Sequence, residues 1–147
     1  MSLQDFLDSG KLKPHRASAE EIHMLFEVVK RDLADAKVPG LSEDRRFTIA
    51  YNAALQAGRA FLAAEGYRTA GQGHHYTVFQ ALRQLLDKKH HHVLAYLDDC
   101  RSKRNLAEYL GTEVTSAQEV AELTREAQVF SKLLHGLISS RHPRLVK

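Results

Sequence analysis

At 147 residues the chain has the length of one domain and is long enough to bury a real core. Its single cysteine excludes an internal disulfide and a zinc–thiolate cluster within one chain, and no apolar run reaches the ~18–20 residues a membrane span needs. A net charge of +3 permits contact with nucleic acid without requiring it.

The opening "MSLQDFLDSGKLKPHR" is polar, ends in the helix-hostile Pro14 and shows no signal-peptide pattern, so residues 1–17 are expected to be a short lead-in. Together with the lone cysteine, this points to a cytoplasmic protein. Strand signals are few, and Gly and Pro fall between long helical patterns. Residues 18–140 are therefore expected to fold as an all-α, antiparallel up-and-down helical bundle of four long helices and one short one.

The first helix starts at Ser18, with Glu21 in capping-box position, and Ile22, Leu25, Phe26, Val29 and Leu33 form a core-facing stripe up to Pro39-Gly40. Ser42 caps the second, whose first turn holds Glu43 and Asp44, where the helix dipole favours acids. Its Ala50, Ala53, Ala54, Ala57, Gly58 and Ala60 let neighbours approach closely and put this helix at the centre, until Gly66 stops it. After the loop "RTAGQGHH", a short third helix runs from His75 to Asp87, with Val78, Phe79, Leu82, Leu85 and Leu86 inward. The fourth spans His91 to Leu110 and ends at Gly111. The fifth, capped by Thr115 or Ser116, carries a seam of Val120, Leu123, Ala127, Phe130, Leu134 and Leu137. Residues 141–147 form a basic, Pro-broken tail that is expected to fray.

The chemistry concentrates in "DDCRSKRNLAEYLG", residues 98–111. The apolar stripe of the fourth helix reads Val93, Leu97, Cys100, then Arg104, then Ala107, so an arginine continues the inward face. Arg101, Asn105, Glu108 and Tyr109 lie on the adjoining face, because steps of three and four bring side chains together. One reading is a snorkelling Arg104 paired with Glu108; the other is a polar cluster that binds a ligand. Arg45, Arg46, Arg59 and Arg68, if they adjoin Arg101, Lys103 and Arg104, make a phosphate-facing groove.

Elsewhere the signals are weaker. His90, His91 and His92 point three ways on a helix and HExxH is absent, so neither metal nor cofactor is expected. "GQGHH" before a helix start can hold an anion through backbone N–H groups, but it lacks the Lys and Ser/Thr of a phosphate loop and reads as a connector. Cys100 reads as a buried small hydrophobe.

The segments "RRFTIAYNAALQAGRAFLAAEGYR", "GHHYTVFQALRQLL" and "RSKRNLAEY", in that order, resemble the HEPN superfamily (higher eukaryotes and prokaryotes nucleotide-binding domains) over roughly residues 20 to 138. The resemblance implies a helical bundle that pairs as a homodimer and binds a nucleotide or RNA. Many relatives sit beside a nucleotidyltransferase-type partner in toxin–antitoxin pairs. Catalytic members of the superfamily carry an Arg, four to six intervening residues and a His as a metal-independent ribonuclease site, usually assembled across a dimer.

Matched here, the arginine is Arg104, followed by Asn105; four intervening residues lead to Tyr109, and no histidine lies between Arg104 and His135. A phenol is a poor general base at neutral pH, yet it can hydrogen-bond a phosphate or stack on a base. The expected ligand-binding set is Arg101, Arg104, Asn105, Glu108 and Tyr109, with no catalytic residue assigned. A ribonuclease using Arg104 and Asn105 with Tyr109 or a distant histidine, and an interaction bundle without ligand, stay open as alternatives.

Overall fold

Alanine-rich helices pack where their neighbours must come close, and the computed structural model, which describes residues 2–70, 74–111 and 114–146, is arranged around one of them. In chain order the helices are α1 (Leu3–Asp8), α2 (Ala19–Asp35), α3 (Glu43–Ala64), α4 (His74–Leu85), α5 (His91–Leu110) and α6 (Ala117–Arg141). Two short strands, β1 (Leu12–Pro14) and β2 (Tyr67–Thr69), complete an otherwise all-α bundle among the described residues.

Helix α3 packs against α2, α4, α5 and α6. Its Ala50, Ala53, Ala54, Ala57 and Ala60 are fully buried. At Gly58 an added Cβ would stand 3.0 Å from Val78 Cγ1 and 3.1 Å from Leu82 Cδ1, so α4 crosses α3 at a separation set by the missing side chain. The α6 seam is buried as expected from Val120 to Leu134, and Ile138 rather than Leu137 is its last fully enclosed position. On α5 the enclosed face starts at Leu94, with Val93 half-buried beside it.

Ser18, Ser42 and Ser116 each accept a hydrogen bond from the backbone N–H three residues on. Ser116 and Glu119 close a reciprocal capping box. The box expected at Ser18 is only half formed, because the Glu21 carboxylate turns to His15 Nε2 at 2.8 Å instead of to the cap. Gly66 and Gly111 end α3 and α5 with φ of +102° and +64°, the left-handed turn that glycine adopts without strain.

Both ends of the chain depart from the expected lead-in and frayed tail. Residues 3–8 form α1 behind a Ser2–Asp5 capping box, and β1 pairs antiparallel with β2, Leu12 opposite Thr69 and Pro14 opposite Tyr67. Phe6 and Leu12 are buried against Leu62 and Ala81 as a second small core. Pro14 is tolerated because it sits at a strand end, where a missing N–H donor costs little. At the other end Leu145 is buried, and Glu65 accepts from Arg141 Nη1 at 2.9 Å and pairs with His142 Nε2 at 2.5 Å.

Asp44, in the first turn of α3, ties down the entry to α6. Its carboxylate accepts from the Val114 and Thr115 N–H groups, both at 3.0 Å, and from the Thr115 hydroxyl. Burial pushes the Asp44 carboxyl up, but these bonds and the Lys103 charge outweigh it and hold the group below its ordinary range. A depressed folded-state pKa stabilises the fold above the unfolded value and loses that contribution as pH falls through the folded one. Asp44→Ala is therefore expected to cost about 1–3 kcal/mol near neutral pH. Urea unfolding should show that deficit shrinking as the pH is taken well below the carboxylate range; a deficit independent of pH would contradict the ionised anchor.

Candidate functional site

Three helices converge on the face expected from α5. Arg101 Nε donates to Asp98 Oδ1 at 2.9 Å, and the Arg101 guanidinium carbon lies 5.4 Å from the centre of the Tyr76 ring. The bond to Asp98 is the main reason the Arg101 pKa is raised. One turn on, the Arg104 guanidinium carbon is 5.7 Å from the centre of the Tyr51 ring, within cation–π reach. Arg104 also donates to Asn105 Oδ1 at 3.2 Å and pairs with Glu108 at 3.1 Å.

The two sequence readings of Arg104 thus describe two ends of one side chain. Its stem and guanidinium cover an aromatic ring, while Glu108 and Asn105, both exposed, hold its outer edge. Arg101, Arg104, Asn105 and Glu108 come together as a cluster. Tyr109 is 88% exposed.

Sequence reasoning missed the residues that other helices bring to this face. α3 contributes Tyr51, a single tyrosine in an alanine-rich run, and the start of α4 contributes His75 and Tyr76. The Tyr51 ring lies 6.0 Å from the His75 ring and 6.1 Å from the Phe79 ring, centre to centre. Tyr51 is fully buried, and its hydroxyl has no hydrogen-bond partner among the described residues. Burial pushes the Tyr51 phenol well above its ordinary range, against the pull of Arg104 and Arg101, so it stays protonated at neutral pH. The glycines of "GQGHH" lie outside the described residues.

No family model, curated protein or solved structure matches this chain.

What the face can do follows from its chemistry: guanidinium forks match phosphate oxygens, and an exposed tyrosine beside them offers a stacking plane. Beyond Arg104, a groove lined by Arg45, Thr48, Ile49, Ala107 and Glu108 runs between the first turn of α3 and the end of α5. The wider basic groove does not assemble. Arg46 is spent on the Ala36 carbonyl at 2.7 Å, and Lys103 pairs with Glu119. Arg59 and Arg68 line a separate cleft with His15 and Glu21. That leaves Arg45, Arg101 and Arg104.

Among the described residues no three His, Cys, Asp or Glu side chains gather to hold a metal, and His91 Nε2 lies 2.9 Å from the Arg83 carbonyl. Cys100 is buried on α5 and burial pushes its thiol up to about 11, which leaves it un-ionised near neutral pH. No described helix is long and apolar enough to cross a membrane.

Proposed function

We propose that this chain is a HEPN-like module that binds a nucleotide or RNA without cleaving it, acting as a homodimer through α5. The observation that carries the reading is the pairing of two arginines with tyrosines from neighbouring helices, Arg101 with Tyr76 and Arg104 with Tyr51. The guanidinium groups would take phosphate oxygens while the half-open Tyr76 ring offers a surface for a base. The homodimer is supported by Leu106, Tyr109 and Leu110, large apolar side chains exposed at the end of α5 beside the polar cluster. A second copy seated there would cover them and bring the two clusters near one another.

A second reading has one observation in its favour: the His75 ring lies 6.0 Å from the same Tyr51 ring that Arg104 covers, an imidazole that the residues following Arg104 on α5 do not supply. It would serve as the proton-transfer group of a ribonuclease.

The test is incubation of purified protein with unstructured RNA in EDTA, followed by binding and integrity measurements, with sedimentation on the same sample. The expected result is a dimer that retains RNA and leaves it intact. Cleavage that disappears in both Arg104→Ala and His75→Ala would replace the binding reading with the enzymatic one. A monomer at high micromolar concentration would contradict the pairing through α5.

A further inference from the structure

A buried hydroxyl without a partner destabilises a fold, and phenylalanine would fill the same space at Tyr51 without that cost. The position is otherwise suited to an apolar ring, packed on Phe79 in a helix of alanines. The hydroxyl is therefore the part of the residue that the fold does not explain.

Its surroundings indicate what would satisfy it. Arg104 covers the ring, His75 flanks it from the first turn of the twelve-residue helix α4, and Arg101 lies one turn from Arg104 on α5. Arg104 and Arg101 are the charged groups whose fields weigh most on the phenolic oxygen, ahead of Asp98. Around the Tyr51 ring stand a neutral O–H donor, the Arg104 guanidinium and, through His75, the first turn of α4, and each favours the same missing partner: an anionic oxygen. Arg104 is free to change its counterion, since Glu108 is largely exposed and holds it only from the outside.

We propose that the Tyr51 hydroxyl and Arg104 together seat the terminal phosphate of a phosphomonoester, with Arg101 on the same group. This rests on the nucleotide- or RNA-binding reading of the site and narrows its ligand. Enclosure selects the class. The Tyr51 hydroxyl is enclosed, with the Arg104 guanidinium over its ring. A terminal phosphoryl group can enter with three free oxygens and one substituent trailing to solvent, whereas an internal phosphodiester has chain on two sides and stays at the rim. A mononucleotide and a phosphorylated RNA end share this chemistry.

Tyr51→Phe removes one oxygen and nothing else. Binding of adenosine 5′-monophosphate is compared with adenosine, and binding of 5′- or 3′-phosphorylated decaribonucleotide with the unphosphorylated strand, for wild type and variant. The wild type is expected to prefer the phosphorylated member of at least one pair by about tenfold, the weight of one charge-assisted hydrogen bond. Tyr51→Phe should clearly reduce that preference while its melting temperature stays level or rises. The nucleoside and strand arms separate a mononucleotide ligand from an RNA end. Equal binding within both pairs by the wild type would sink the terminal-phosphate inference and leave RNA binding standing. An undiminished preference in Tyr51→Phe, or a clear fall in its melting temperature, would overturn the role of the hydroxyl. Absence of binding to all of these would remove both the inference and the function it rests on.

Discussion

Phe61→Ala is expected to lower folding stability by about 3–5 kcal/mol, the range for emptying an aromatic site in a packed core. Phe61 is fully buried on α3, the helix that all the other long helices contact. Its ring also lies 5.5 Å beneath the Arg141 guanidinium, and Glu65, one turn on, clamps Arg141 and His142. The truncation thus opens a cavity and loosens the end of α6 at once. Urea unfolding should show a lower midpoint with an unchanged slope. Met24→Ala, on the exposed side of α2, serves as the control and should stay within about 0.5 kcal/mol of wild type. A comparable loss in the two variants would contradict the placement of α3 at the centre.

Arg104→Ala is expected to weaken RNA or nucleotide binding about tenfold or more, since a charge-assisted contact to phosphate is worth roughly 1.5–3 kcal/mol. Arg104→Lys should be nearly as damaging, because an ammonium has no planar fork for two phosphate oxygens. Stability should change by less than about 1 kcal/mol in both, because the pair with Glu108 is a partly exposed contact four residues apart on one helix. Binding kept by lysine and lost by alanine would mean that only a point charge is needed there. Binding kept by both would take Arg104 out of the site.

The helices were legible because amphipathic spacing repeats over many residues, and the centrality of α3 was legible because small side chains have few other uses in a long helix. Spacing along one helix also grouped Arg101, Arg104, Asn105 and Glu108 on adjoining faces. It could not find Tyr51, His75 or Tyr76, since steps of three and four report neighbours on the same helix and these come from two others. His75 was hidden further by the glycine-containing connector that precedes it. At the N-terminus, Phe6 and Leu12 are too few to show a period, yet they suffice to fold the segment once Leu62 and Ala81 offer a surface. The capping box at Ser18 failed for a similar reason: sequence shows Glu21 three residues on, but not that His15 competes for it.

The most direct test is a titration of 15N-labelled protein with single-stranded RNA, followed by the backbone amides and the arginine Nε–H resonances. Shifts are expected at Arg101, Arg104 and Asn105 on α5, at Tyr51, and at Tyr76 at the start of α4. The apolar groove between α2 and α6, lined by Phe26, Leu33 and His135, and the cleft around His15 and Arg59 should stay unmoved. Shifts centred on either of those clefts, or none at millimolar RNA, would contradict the assignment of this face as the binding site.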